Sequence, residues 1–389
     1  MFSMSSEKIT SKRKYLYGVD LMRLLFILGV LTIHTSTVFT YKFQVGSAPF
    51  LALGSFHMPM HFTRMGFMFI SGLVLFLNSY NRPMHLIKFW KRRYFWVLIP
   101  YFFWNFIYHM VEHDFGKILT NSWWLQYWDL LIHGNGYYMY FLMVMLQLYL
   151  CYPLMRFLFK KTEGKHLLVF FCSIAIQLLI TIFTKFVLPH LSTENWPYLF
   201  KSYGMFVLTY EGYFIAGALA GIHYSEVEKW IVSHIKQLFI ATLIGIPTMV
   251  FYYFYNIYIL KLSYSKAYEV HQPLIVIYAL IVISNVFYVG YLYDRLVKSN
   301  KHPKLIAFVS KAQKIAFGLY LTQTIALSIL RIMIIPIPND SWYIWLIWPL
   351  ATIFVIGFSG ALCWILYNTP IAHYVIGRPL NKRGINVRI

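Results

Sequence analysis

Charge is scarce in this 389-residue chain: Asp, Glu, Lys and Arg together make up 12%, against about 25% in soluble domains. Hydrophobic residues reach 59%, above the roughly 45–50% that water-soluble domains carry. Such a chain cannot coat itself with water-compatible side chains. That excludes a soluble enzyme, a disordered protein and a repeat solenoid. Only three cysteines occur (Cys151, Cys172, Cys363), all inside apolar runs, which argues against a disulfide framework and against a zinc site. No small-residue cleavage site follows the first apolar run, so it reads as a retained span and not as a signal peptide. No internal repeat, low-complexity segment or long linker divides the chain.

What is present is a series of apolar stretches from Leu16 to Ile376. Stretches of about 20 residues suit bilayer-spanning helices. They predict an all-α, polytopic membrane protein with ten transmembrane helices near 16–39, 50–77, 94–112, 137–158, 167–188, 203–222, 237–258, 272–292, 314–334 and 343–367. The second is long enough to be tilted, broken or partly outside the bilayer. The whole chain, 1–389, forms one transmembrane domain. The net charge of +21 would suit a nucleic-acid binder only on a folded aqueous face. Here the basic residues sit in short loops, and no nucleic-acid partner is expected. With the N-terminus inside, 25 of the 34 Lys and Arg fall in cytoplasmic segments and six outside. The positive-inside rule therefore predicts both termini cytoplasmic, with tails at 1–15 and 368–389. Trp123, Trp124 and Trp128, in an outside loop, read as an interfacial anchor, with a sugar-stacking platform as the other reading.

Ionisable residues inside spans are functional candidates because the bilayer penalises them. The first span carries Asp20, Arg23 and His34. Eleven residues separate Arg23 from His34, which at about 100° per residue brings both to one face, roughly 16 Å apart along the axis. Asp20 lies one turn before Arg23, within pairing reach. In the second span His57, His61 and Arg64 follow at i, i+4 and i+7, one helical stripe, and Ser71 continues it. A two-histidine metal site at His57 and His61 has suitable spacing but lacks a nearby carboxylate or cysteine, so no metal is expected. Glu211 is read as mid-span in the sixth helix, with an arginine such as Arg331 as its partner or with a direct role at the acceptor. The cytoplasmic run ending Lys91, Arg92 and Arg93 serves as a topology signal or as a phosphate-binding cluster beside Trp90 and Trp96.

These segments resemble the acyltransferase-3 family of membrane acyltransferases. YLYGVDLMRLLFILGVLTIHT is similar to its first span, with an arginine or lysine, ten residues and a histidine, here Arg23 and His34. RMGFMFISGLVLF resembles the second span ending in Ser-Gly. KRRYFWVLIPYFF resembles the basic entry to the third span, YYMYFLMVMLQLYLCYPLM the fourth with its Tyr-Pro, and GLYLTQTIAL the late span that often reads Tyr-Leu-x-His. Two positions depart from the pattern. Trp96 stands where a second arginine is frequent, and Gln323 stands in place of the late histidine, so position 323 is expected to be inessential.

The resemblance implies transfer of an acyl group, usually acetyl, from a cytoplasmic acyl-CoA to a sugar hydroxyl of a cell-surface or lipid-linked glycan. It is nearest to stand-alone bacterial modifiers of surface polysaccharides, multi-pass proteins of the plasma membrane. His34 would act as general base or transient acyl carrier. Arg23, fixed by Asp20, would orient the site, and Arg64 would stabilise the oxyanion or hold substrate. Lys91, Arg92 and Arg93 would contact donor phosphates. Acyl-CoA is then a co-substrate with no tightly bound cofactor, and membrane lipid, the glycan acceptor and a glycan-synthesis complex are the expected partners. Ten helices with a polar interior also suit a transporter or flippase for a glycan or lipid-linked sugar, although no related halves are visible. A sensor or scaffold needs no buried Arg–His face.

Overall fold

A computed structural model describes residues 15–112, 118–134, 136 and 138–378. The described residues are mostly helical and contain no strand. The tail predicted at 1–15 lies, but for Tyr15, outside the described residues, as does the stretch beyond Arg378.

Eight helical segments are long and apolar enough to cross a membrane. They are α1 (Tyr17–Thr40), the pair α2 (Ala48–Met60) and α3 (Phe62–Ser79), α6 (Tyr140–Lys161), α7 (His166–Ile182) with its extension to His190, α11 (Ile235–Tyr258), α13 (Pro273–Lys298), α14 (Pro303–Met333) and α15 (Ile344–Asn368). The predicted third span falls on α4 (Leu86–Glu112). It begins eight residues early because the basic run Lys88–Arg93 is helical too. Pro100 lies inside it without ending it. The tryptophans of the loop predicted to lie outside form α5 (Asn121–His133), opened by a Thr120 cap and closed by Gly134 at φ 64°. Trp123 is buried, whereas Trp124, Leu125, Trp128 and Ile132 are exposed along one side, the layout of a helix lying in an interface. Shorter helices complete the order: α8 (Tyr198–Lys201), α9 (Glu211–Ile222), α10 (Tyr224–Ser233) and α12 (Tyr264–Ala267).

Two predicted spans are not single helices. The second breaks at His61, between α2 and α3. Pro59 sits in the last turn of α2, where it removes a backbone donor and crowds the preceding turn. The sixth, predicted as 203–222, consists of two short 3-10 turns, Tyr203–Met205 and Val207–Thr209, and is α-helical only from Glu211. Backbone groups left unpaired at membrane depth must be satisfied inside the protein. Gln147 Nε2 donates to the Met205 carbonyl, and its Oε1 accepts from the Val207 amide. Gln177 does the same for Thr209 O and Gly212 N. These two glutamines add to the backbone bonds of the two short turns, such as Phe206 N to Tyr203 O and Tyr210 N to Val207 O.

The centre of the bundle is the seam between α3 and α9. A side-chain carbon on Gly72 would strike the Phe214 carbonyl, one on Gly217 the Phe69 carbonyl, and one on Gly221 would lie 2.5 Å from the Leu73 oxygen. Three glycines thus let two backbones touch, the close approach that small residues provide in membranes. Helix α1 packs on α3, α13, α14 and α15, so its polar face is turned inward.

Candidate active site

A cavity of about 940 Å³ runs through the bundle, and α1 forms one wall of it. At one end stand Tyr15, Asp20 and Arg23 with Arg92, Arg93 and Arg378. Its middle is lined by His34, His57, His61, Arg64 and Tyr138. The far end is built from 201–205 and 265–271. The guanidinium and imidazole that α1 projects therefore share one hollow, as their spacing predicted.

Asp20 Oδ2 accepts from the Tyr15 hydroxyl at 2.5 Å, and Arg23 Nη1 donates to Oδ1 at 3.4 Å. Asp20 is 5% exposed while the Arg23 side chain keeps 28%, so the carboxylate anchors a guanidinium that faces the cavity.

His34 is held from two sides. Its ring stacks on Tyr138 with centroids 3.9 Å apart and planes 15° from parallel. Tyr138 has φ 66°, a left-handed conformation that bulky residues avoid. The Tyr320 hydroxyl donates to the Tyr138 carbonyl and helps hold it there. On the other side Nδ1 lies 2.8 Å from Gln323 Oε1. The Gln323 amide is oriented by its own Nε2, which donates to Tyr320 O at 2.9 Å. An amide oxygen only accepts, so His34 carries its proton on Nδ1, and Nε2 keeps a lone pair. Among the described residues nothing bonds Nε2. Position 323, expected to be inessential, is thus the group that sets the tautomer of His34.

His57 and His61 are tied differently. Ser36 Oγ lies 2.8 Å from His57 Nε2, and His61 Nε2 donates to the Tyr268 carbonyl at 2.7 Å. Both rings are buried. Arg64 lies over the Tyr140 ring at 5.0 Å and bonds the Tyr210 hydroxyl, with no carboxylate paired to it among the described residues. Ser71 lines the cavity, but its hydroxyl is spent on Phe67 O at 2.8 Å.

A family model described as an acyltransferase domain, that of acyltransferase-3, matches residues 16–368. The chain belongs to the acyltransferase-3 family. Neither the curated proteins nor the solved structures gave a match. Membership makes this a membrane acyltransferase, one that passes an acyl group to a hydroxyl-bearing acceptor, and a multi-pass membrane protein.

Within this acyltransferase some predicted residues fall elsewhere. Glu211 does not line the cavity: it is the first residue of α9, and Oε2 accepts from Ser173 Oγ at 2.6 Å. Its expected partner Arg331 is exposed near the end of α14. The reason is the 203–210 stretch of short turns, which starts the helix at the acid and turns it towards α7. Lys91 is exposed and off the cavity, while Arg92 and Arg93 line it. A helix places side chains on one face at three- and four-residue steps, so three consecutive basic residues cannot all face one way. The predicted tail at 368–389 does not trail from Asn368 to Arg378. Trp104 Nε1 donates to Val375 O at 2.8 Å, Tyr374 stacks on Trp96 at 5.5 Å, and Ile376 is fully buried. This fold-back brings Arg378 to the basic end, where Nη2 donates to Gln313 O at 3.1 Å. Trp96, read as the loss of an arginine, is the platform that seats it. Arg378, Tyr138 and Gln323 were missed as site residues. Only Gln323 carried a signal, its place in the Tyr-Leu-x-His pattern.

Proposed function

We propose that this acyltransferase moves an acetyl group from cytoplasmic acetyl-CoA to a hydroxyl of a cell-surface or lipid-linked glycan at a bacterial plasma membrane. The supporting observation is His34: a tautomer with its lone pair on Nε2, in the wall of a cavity whose basic end suits the phosphates of a CoA donor. In the reaction Nε2 takes the proton of the acceptor hydroxyl as its oxygen attacks the thioester carbonyl. The C–S bond breaks and the proton passes to the departing thiolate. Arg64, without a carboxylate of its own, offsets charge on the carbonyl oxygen. Asp20 keeps Arg23 aligned with the donor, and Arg92, Arg93 and Arg378 take its phosphates. His57 and His61 support the wall around Arg64. Lys91 and Glu211 have no part in this scheme.

The test uses purified protein in lipid vesicles, labelled acetyl-CoA and a surface-glycan extract of the producing strain. Label should pass to glycan, and the transfer should vanish in His34→Ala and Arg23→Ala with folding intact. Glycan crossing the vesicle membrane unlabelled, and indifferent to His34→Ala, would instead establish a transporter. Mass spectrometry of surface glycans from a deletion strain beside its parent names acyl group and acceptor together.

A further inference from the structure

The far end of the cavity holds a histidine that the chemistry above leaves unused. His271, between α12 and α13, is 5% exposed and lines the cavity. Its Nε2 is buried and has no hydrogen-bond partner among the described residues. The ring stands edge-on to Tyr210 at 4.9 Å and to Tyr203 at 5.9 Å. Its neighbour Gln272 fixes the segment. Lys185 Nζ donates to Gln272 Oε1 at 2.9 Å and to Asn256 Oδ1 at 2.6 Å, while Gln272 Nε2 donates to Glu269 O at 2.8 Å. The unbonded nitrogen is therefore held in a rigid wall.

What faces Nε2 is a glycine. A methyl group on Gly204 would lie 3.6 Å from Nε2 and 3.8 Å from the adjoining ring carbon. Gly204 also lines the cavity, so what meets the nitrogen on this side is backbone without a side chain. Burial, with Arg64, His61 and Lys266 near by, pushes the imidazole down to about 3. The ring is neutral near pH 7 and presents one N–H and one lone pair, the pair of roles a hydroxyl can answer. Beside it Lys266 is already neutralised by Glu269 at 3.1 Å, and the Tyr203 hydroxyl donates to that same carboxylate. This end thus offers hydroxyl partners and aromatic faces, with Lys201 as the one cation among its described residues beyond the Lys266–Glu269 pair, whereas the other end concentrates arginines.

We infer that His271 binds the acceptor: its Nε2 takes a hydroxyl of a polyhydroxylated ligand on the Gly204 side, where only bare backbone covers the nitrogen, next to Tyr203 and Glu269. This rests on the proposed acyl transfer and gives it an acceptor subsite. His271 is a binding residue here, and His34 remains the base.

The test measures KM for the surface-glycan extract and for acetyl-CoA separately, on full-length protein in vesicles, for wild type, His271→Ala and Gly204→Ala. Both variants should raise the glycan KM about tenfold, while the acetyl-CoA KM and the release of free acetate to water stay at wild-type values. Gly204→Ala adds only ordinary van der Waals contact, so it decides the matter should His271→Ala fail to fold. An unchanged glycan KM in Gly204→Ala, or a raised acetyl-CoA KM in His271→Ala, overturns the assignment while leaving acyl transfer standing. A wild type that transfers no label to glycan sinks the proposed function itself, and this subsite with it.

Discussion

Removing the Gln323 amide should cost the acyltransferase most of its rate without touching the base. In Gln323→Leu the side-chain volume is nearly kept, but the 2.8 Å bond to His34 Nδ1 and the bond to Tyr320 O are both lost. A buried hydrogen bond of this kind contributes about 0.5–1.5 kcal/mol. That energy now favours one tautomer and one ring orientation. Its loss should therefore lower kcat by roughly three- to tenfold, since 1.4 kcal/mol is a factor of ten. Losing a general base outright costs about 10²–10⁴-fold, so His34→Ala should fall much further. The double variant separates the explanations. If Gln323 acts only through His34, His34→Ala with Gln323→Leu should be no slower than His34→Ala alone, because groups acting as a unit are not additive. The assay is the initial rate of label transfer in vesicles, with melting profiles to verify folding. A Gln323→Leu rate equal to wild type, or a further tenfold loss on the His34→Ala background, would refute the reasoning.

Arg378→Ala should raise the acetyl-CoA KM several-fold with little change in kcat, because a phosphate contact acts on ground state and transition state alike; a kcat effect alone would contradict it. Gly217→Ala should lower stability by about 1–3 kcal/mol, since its new carbon overlaps the Phe69 carbonyl across the α3–α9 seam. Gly357→Ala, which meets nothing within 4 Å, should gain about 0.5–1 kcal/mol, and thermal melts in one detergent check both. At the end of α9, burial and His166 hold the His223 imidazole below its usual value, partly opposed by Glu226. The unfolded chain then takes up this proton at higher pH than the folded one. Stability from this site is complete above about pH 6.5 and is lost as pH falls through that value. The melting midpoint should drop between pH 7.5 and 5.5, and less so in His223→Gln.

What could be read from the sequence was what one helix decides by itself. Arg23 and His34 are eleven residues apart on a single α1, so periodicity alone brought them to one face, and Asp20 followed at one turn. The stripe from His57 to Arg64 reached the same cavity although Pro59 and His61 interrupt the helix, because His61 at the junction keeps right-handed helical dihedrals (φ −62°, ψ −21°). The reading failed at Glu211 and Lys91 for related reasons. An apolar run of 20 residues looks like a helix whether its backbone is paired by the α-helical ladder or, as at 203–210, by short 3-10 turns with Gln147 and Gln177 from other helices. A run of basic residues counts as one signal for topology, yet its members point in different directions.

A local pattern marked the position of Gln323, but that it and Tyr138 meet His34 lies beyond the reach of any local pattern. Gln323 is 289 positions away in the chain, and Tyr138 arrives from the segment before α6. Each is an ordinary polar or aromatic residue whose meaning comes from what it touches. The same holds for His271, which in sequence is one more imidazole in a loop. Folding makes it a buried nitrogen without a partner, placed opposite a glycine. The bilayer offers no water to satisfy such a group, so one that lines a cavity has the substrate as the partner within reach. That requirement leads from the scarcity of charge in this chain to its site. Glu211 Oε1 and the Tyr253 and Ser359 hydroxyls also lack a partner among the described residues but lie off the cavity, so lining the cavity is what singles out His271 Nε2.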